Sequence, residues 1–132
     1  MDGLDEQSVD QVQIYQIGRH RVAIAFRGGI LPPTPYSLFL AEHIPEMPGC
    51  TVVDVGTGSG ILGIVARLQG AVCVYVLDIN PEAIAVAMEN AARNAVQEGF
   101  VPLPTGRTML PLPAVGQSRR SVLRRGGRPP DD

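Results

Sequence analysis

Two aspartates and a glycine loop are the residues of this chain whose types and spacing point to ligand chemistry. Asp54 stands within an apolar run, and three alternating glycines follow over residues 56–60. Asp78 ends a second apolar run, twenty residues after the middle glycine. Such a loop brings backbone N–H groups close to a ligand, and a carboxylate at the end of a strand accepts hydrogen bonds from hydroxyl groups. The spacing therefore predicts a ligand crevice.

The glycine loop fits two classes of ligand. Residues 58–63, Gly-Ser-Gly-Ile-Leu-Gly, match the dinucleotide fingerprint, with Asp78 where a ribose-binding acid belongs. We expect the Asp54 carboxylate to face the crevice, beside the position of a pyrophosphate. Two like charges about 4 Å apart cost on the order of 4 kcal/mol at an effective dielectric near 20, more than the ~1 kcal/mol that a helix dipole returns. A ligand with an ammonium and a sulfonium would be attracted to the Asp54 carboxylate instead of repelled by it. S-adenosylmethionine carries both of these groups.

The elements around the loop follow from hydrophobic periodicity and capping residues. Residues 51–55 and 71–77 are apolar runs typical of buried parallel strands, and the apolar spacing from residue 61 to 68 predicts a helix between them. Gly63 would let this helix approach the sheet closely, and Gly70 would end it. Asn80 and Pro81 predict the start of the next helix, which would end between residues 94 and 99.

The segment before the first core strand reads as a hairpin, a loop and a helix. Residues 12–17 and 21–26 have strand character, and residues 18–20 suit the turn between them. The second strand alternates, with Val22, Ile24 and Phe26 on one face. We expect this hairpin to cover one end of the sheet, or to form part of a lid. Thr34 and Pro35 predict the start of a helix with an apolar stripe formed by Tyr36, Leu40 and Ile44.

Two motifs carry a resemblance to a known family. Residues 53–63, Val-Asp-Val-Gly-Thr-Gly-Ser-Gly-Ile-Leu-Gly, and 76–83, Val-Leu-Asp-Ile-Asn-Pro-Glu-Ala, resemble the first two cofactor motifs of class I S-adenosylmethionine-dependent methyltransferases. The helix opened by Pro33-Thr34-Pro35-Tyr36 is similar to that of the small-domain group, which includes release-factor glutamine and ribosomal-RNA guanine methyltransferases. The resemblance covers residues 33–94. It implies an α/β, partial Rossmann-like methyltransferase fold with a parallel β-α-β-α core.

The same resemblance implies a cofactor, a reaction and a set of contacts. S-adenosylmethionine would donate a methyl group to an amide or exocyclic amine of a protein or RNA. Asp54 would meet the methionine ammonium, the loop backbone would line the amino-acid tail, and Asp78 would hold the ribose beside an apolar face from Ile79. No catalytic or metal-binding residue is predicted. The predicted cofactor-binding residues are Asp54, Gly56, Thr57, Gly58, Ser59, Gly60, Asp78 and Ile79.

Composition predicts a single domain and a cellular location, and it excludes several other kinds of functional site. The 132 residues suit one domain, and all eleven basic residues are Arg, which excludes a phosphate loop ending in Gly-Lys-Ser/Thr and a lysine Schiff base. The two histidines and two cysteines have no spacing that suggests a metal site. An acidic N-terminus and the absence of a long apolar run predict a cytoplasmic protein without membrane contact.

The C-terminal stretch departs from the family pattern. We divide the chain into a flexible lead-in over 1–10, half of a methyltransferase domain over 11–100, and a disordered tail rich in Pro, Arg and Gly over 101–132. The family's Asn-Pro-Pro-Tyr motif, which binds the acceptor amine, is absent. We therefore hypothesise truncation or a shifted reading frame near residues 96–101, which leaves open whether this chain turns over substrate.

Two alternative functions remain open at this point. One is a fragment of a nicotinamide-dependent oxidoreductase. The other is a non-enzymatic binding or dimerisation half-domain. With only two parallel strands recognisable, the first core strand would have an uncovered edge through which the chain could self-associate. The tail, with six Arg and two Asp, could instead reach a partner through its positive charge.

Overall fold

The computed structural model describes residues 10–103 and 120–124, which form a parallel sheet, three helices and a separate hairpin. The main sheet has four strands, each parallel to its neighbours, in the order β5 (Phe100–Pro102), β4 (Cys73–Leu77), β3 (Thr51–Val55) and β6 (Arg120–Arg124), and β1 (Gln11–Ile17) pairs antiparallel with β2 (His20–Phe26). The predicted α/β class, with a β-α-β-α core after a hairpin and a helix, is confirmed. The elements are β1 Gln11–Ile17, β2 His20–Phe26, α1 Pro35–Glu42, β3 Thr51–Val55, α2 Ile61–Leu68, β4 Cys73–Leu77, α3 Pro81–Arg93, β5 Phe100–Pro102 and β6 Arg120–Arg124.

Strands β3 and β4 bring the two predicted motifs to one edge of the sheet. Val52 and Val74 are fully buried, as expected for strands covered on both faces. Their register places Val55 opposite Leu77, so both strands end at the same level. The glycine loop and Asp78, which follow directly, are therefore neighbours at the carboxyl edge.

Helix α2 packs closely on the sheet because of Gly63. A Cβ atom at this position would lie 3.0 Å from Val74 Cγ1 and 3.2 Å from both Asp54 Oδ2 and Phe100 Cε1. Ile61, Ile64 and Val65, on the predicted core stripe, are at most 2% exposed. Gly70, with φ +109°, follows the helix end as predicted.

Helix α1 begins as predicted, but it buries a different face. Thr34 Oγ1 accepts a hydrogen bond from the Ser37 N–H at 3.1 Å as the N-cap. Ile44 is buried, whereas Tyr36 is 43% exposed and Ser37 and Ala41 take the inner positions. Small side chains let α1 approach α2, and the Ser37 hydroxyl can be buried because it bonds the Thr34 hydroxyl.

The hairpin does not cover an end of the sheet. Strand β2 packs on α2 and α3, and β1 contacts α1, so the helices lie between the hairpin and the main sheet. Val22 and Ile24, which alternate as predicted, are fully buried against the helices. This burial explains why the second strand has its apolar side chains on one face.

Strands β5 and β6 correct the expectation of only two parallel strands. β5 pairs with β4 and crosses the boundary drawn between residues 100 and 101. β6 pairs with β3 from Thr51 opposite Arg120 to Val55 opposite Arg124, so the edge expected to be uncovered is occupied. Short strands that contain or follow prolines lack a hydrophobic period, which is why the sequence pattern missed them. The other residues of the predicted flexible lead-in and disordered tail, 1–9, 104–119 and 125–132, lie outside the described ranges.

None of the three helices in the described ranges has both the length and the apolar character needed to cross a lipid bilayer.

Candidate functional site

The glycine loop has a backbone conformation that requires its glycines. Gly56, Gly58 and Gly60 have φ values of +72°, +56° and +92°, which side chains with a Cβ atom rarely adopt. The N–H groups of Gly56 and Thr57 both donate to Leu77 O, at 2.8 and 2.9 Å. The loop is therefore bound to the end of β4.

Asp54 lies beneath this loop instead of facing the crevice, which corrects the expectation from the sequence. Asp54 is only 1% exposed to solvent. Oδ2 accepts hydrogen bonds from the Thr57 hydroxyl at 2.8 Å and from the Gly63 N–H at 3.2 Å. The carboxylate thus supplies the anion at the N-terminus of α2, where dinucleotide-binding folds place a phosphate.

Asp78 joins the glycine loop to the start of α3. Its Oδ2 accepts a hydrogen bond from the Gly58 N–H, and its Oδ1 accepts one from the Asn80 N–H, each at 3.0 Å. The residue is half-buried, and each oxygen retains a second lone pair. Asn80 itself caps α3 by accepting the Glu82 N–H at 2.9 Å, as predicted. Asp78 is therefore available to bind a hydroxyl at the carboxyl edge of β4.

A crevice of about 210 Å³ opens beside Asp78. It lies between the glycine loop, the first turn of α3 and the loop that follows β2. Of the predicted site residues, Gly58 and Asp78 line it, and the next residue, Ile79, is 91% exposed. Thr57 and Ser59 are buried within the loop. The lining residues are Gly29, Ile30, Leu31, Gly58, Asp78, Asn80 and Ala83.

The sequence pattern missed the wall formed by residues 29–31. The surrounding glycines and prolines predict a loop here. A loop prediction does not say which element of the fold these residues face. The only signal was Leu31, an apolar side chain placed before two prolines, and it is 65% exposed in the structure.

Arg27 anchors this wall to α3. Its guanidinium donates to Glu82 Oε2 at 2.7 Å, to both Glu89 oxygens at 2.7 and 3.0 Å, and to Asp10. These hydrogen bonds, foremost that to Glu89, raise the pKa of Arg27, and the same contact lowers the pKa of Glu89 below its ordinary value of 4.5. The start of the loop is thus held by charge-assisted bonds at the rim of the crevice.

A second cavity, of about 260 Å³, lies between the hairpin turn, α1 and α2, away from the carboxyl edge. His20 lines it, and its Nε2 is 3.0 Å from Gln69 Oε1. His43 Nδ1 donates to Phe39 O at 2.8 Å. Among the residues that the structure describes, no three His, Cys, Asp or Glu side chains are grouped closely enough to hold a metal ion.

Comparison with known proteins gives one consistent family. The family model described as "Ribosomal protein L11 methyltransferase (PrmA)" matches residues 22–112. The ribosomal protein L11 methyltransferase of Methylococcus capsulatus is 36% identical over 118 residues, covering 80% of this chain and 40% of that protein. The enzyme of the same name from Dichelobacter nodosus is 44% identical over 75 residues, covering 57% of this chain and 26% of that protein.

A solved structure shares the fold. The tRNA (uracil-54, C5)-methyltransferase of Pyrococcus abyssi, in complex with S-adenosyl-L-homocysteine, superposes with a TM-score of 0.55 over 70% of this chain and 24% of that one, at 22% sequence identity. At this identity the likeness concerns the fold alone.

Proposed function

Because the chain belongs to the ribosomal protein L11 methyltransferase family, we propose that it binds S-adenosylmethionine in the crevice beside Asp78 and serves methyl transfer to a protein. Asp78 carries this proposal. It accepts two backbone N–H groups at the end of β4 and keeps lone pairs for the ribose hydroxyls. Ile79, almost fully exposed next to it, offers an apolar surface to the adenine.

The hydrogen bonding of the loop supports a cofactor without phosphate. The N–H groups of Gly56, Thr57 and Gly60 donate to backbone carbonyls, that of Gly58 to Asp78, and that of Gly63 to Asp54. Five donors near the N-terminus of α2 thus have protein acceptors. A pyrophosphate would have to displace these acceptors to bind the same N–H groups, so the contacts disfavour the nicotinamide-dependent alternative.

Asp54 then has an indirect part in cofactor binding. Its carboxylate fixes Thr57 and the first turn of α2, and so the loop conformation that the amino-acid tail would contact. The backbone from Gly56 to Gly60 would line the tail, as the sequence motifs imply.

The extent of the chain limits which part of the reaction it supports. The chain spans about a fifth to two fifths of the length of the curated relatives it matches. The crevice of about 210 Å³ is smaller than the roughly 300 Å³ at which ligand pockets usually begin. The described residues therefore provide part of the cofactor site. Separately, we propose that the protein acts in the cytoplasm, as expected from its sequence.

The acceptor follows from the family name and stays at the level of a proposal. The relatives are named for ribosomal protein L11, which favours a protein over an RNA acceptor. Bound S-adenosylmethionine supplies an activated methyl group, whose transfer requires mainly an acceptor nitrogen in line with the breaking bond. In this mechanism Asp78 and the glycine loop orient the donor and take no proton.

Calorimetric titration of the 132-residue chain with S-adenosylhomocysteine tests the proposal. We expect saturable binding that NAD does not displace. Asp78→Ala should weaken binding by about 1.5–3 kcal/mol, the scale of hydrogen bonds to a charged group. Glu46→Ala, which removes an exposed carboxylate away from the crevice, is the matched control and should leave the isotherm unchanged. Displacement by NAD, or equal affinity of the Asp78 variant, would contradict the assignment.

A further inference from the structure

Asn90 of α3 and Asn94, the residue that caps the C-terminus of α3, bind the edge of the hairpin as a neighbouring strand would. Asn90 Oδ1 accepts the Ala25 N–H at 2.8 Å, and its Nδ2 donates to Ala25 O at 2.9 Å. Asn94, one turn later, makes the same pair of bonds with Ala23, at 2.8 and 2.7 Å. Residues 23 and 25 direct their backbone groups away from β1, so the two amides satisfy an otherwise open strand edge.

Asn90 has two contacts that Asn94 lacks, and one of them reaches the glycine loop. Its Nδ2 also donates to Ser59 O at 2.8 Å, in the middle of the glycine loop, and its Oδ1 also accepts from Arg93 at 2.8 Å. The fully buried amide thus makes four hydrogen bonds, its whole capacity of two donors and two acceptors. Asn94 instead uses its remaining donor on Asn90 O, within the helix.

The groups joined by Asn90 lie close in the chain to residues of two walls of the crevice. Ser59 follows Gly58, which lines the crevice on the glycine-loop side. Ala25 lies four residues before Gly29, the first lining residue of the opposite wall, and Arg27 fixes the chain between them to α3. A shift of β2 relative to the glycine loop would therefore change the width of the crevice, and the Asn90 amide opposes that shift.

We propose that Asn90 is a positioning residue, which couples the hairpin to the glycine loop and thereby sets the spacing of the cofactor crevice. The proposal rests on the proposed function for its effect on binding. The coupling itself concerns only this chain, so it can be measured without a ligand. No other side chain serves equally well, because an aspartate cannot donate to Ser59 O and an alanine leaves both Ala25 groups without their partner.

The first experiment compares Asn90→Ala with Asn94→Ala in the 132-residue chain. Both variants lose a two-bond contact with β2, but only Asn90→Ala loses the bond to Ser59 O. We expect the Kd for S-adenosylhomocysteine to rise about tenfold in Asn90→Ala and less than twofold in Asn94→Ala. An equal rise in Kd in the two variants would show that Asn90 only stabilises the fold, and this result would overturn the proposal.

Hydrogen exchange of the unliganded chain tests the coupling directly. Asn90→Ala should speed exchange both in peptides covering residues 21–26 and in those covering 56–63, whereas Asn94→Ala should speed exchange only in the first group. Equal exchange of residues 56–63 in the two variants would refute the coupling, whether or not the wild type binds S-adenosylhomocysteine. Absence of wild-type binding alone would refute the proposed function instead.

A milder variant covers the case in which Asn90→Ala does not fold. Asn90→Ser keeps a hydroxyl that can donate one hydrogen bond and should show the same pattern of exchange with a smaller change. Unaltered exchange of residues 56–63 in a folded Asn90→Ser chain with faster exchange of residues 21–26 would equally contradict the coupling.

Discussion

Asp54, near the end of β3, and Asp78, directly after β4, have different surroundings. The two residues therefore have different roles. Asp54 is buried and bonded to Thr57 and Gly63, so its charge acts through the loop that it holds. Asp78 is half-buried and borders the crevice, so its oxygens can reach a ligand. The sequence predicts ligand contacts for both, because each stands at or near the carboxyl end of an apolar run. The difference arises because the Thr57 hydroxyl and the Gly63 N–H of α2 are directed at Asp54, whereas Asp78 lies just after β4, beside the crevice.

Ion pairing at the crevice rim gives a residue-level prediction about pH. Arg27 lowers the pKa of Glu89, so the stability that this pair contributes is present above the ordinary pKa of 4.5 and is lost as the pH falls through the lowered value. Glu89→Gln should therefore be less stable than the wild type by a few tenths to about 1 kcal/mol at neutral pH, because Glu89 is half exposed. The difference should shrink toward zero once the pH has fallen below the lowered pKa of Glu89.

Urea unfolding at several pH values measures this difference. Glu46→Gln is the control, since Glu46 is 4.0 Å from Arg19 and both side chains are 74% exposed. Its stability should match the wild type at every pH. A Glu89→Gln deficit that stays constant down to the lowest pH would show that the ion pair is not its source.

At the scale of the element, the contact between α2 and the sheet depends on Gly63. Gly63→Ala would gain up to about 1 kcal/mol of helix propensity, yet its Cβ would lie 3.0–3.2 Å from atoms of Val74, Asp54 and Phe100. Overpacking of this kind costs typically 1–3 kcal/mol, and Val74 and Asp54 are fully buried with little room to move. We therefore expect a net loss of about 1 kcal/mol in the free energy of unfolding.

Thermal or urea unfolding of Gly63→Ala checks this balance. Gly29→Ala is a suitable control, because no heavy atom lies within 4 Å of its added Cβ and its backbone is not left-handed. Its stability should stay within about 0.5 kcal/mol of the wild type. A gain in stability for Gly63→Ala would mean that α2 can move away from the sheet without cost.

The elements that could be predicted are those whose signals are local. The cap formed by Asn80 and the alternation of Val22 and Ile24 use residues a few positions apart, and the structure has both. Asn90 could not be interpreted in this way, since its partners Ala25 and Ser59 are 65 and 31 residues distant. An asparagine inside a helix is a poor helix former, so Asn90 within α3 was the one local signal of a tertiary role.

At the scale of the whole molecule, the helices lie between two sheets of different kinds. α2 and α3 pack on the parallel sheet with one side and on the hairpin with the other. The crevice lies where the loops of both sheets meet at one edge, so the hairpin contributes to the site although it does not belong to the parallel core. This arrangement explains why bonds between the hairpin and α3 affect the geometry of the glycine loop.

The final prediction concerns the fourth strand of the parallel sheet. β6 pairs with β3 over five positions and occupies an edge that would otherwise present unpaired N–H and C=O groups beside buried valines. Removing residues 118–132 should therefore lower stability and cause concentration-dependent association, measured by sedimentation velocity. A chain that ends at Arg124 retains β6 and should sediment as the full chain does. If the chain without β6 also sediments as the full chain does, the edge of β3 is protected without β6. The pairing of β6 with β3 then contributes little to preventing association.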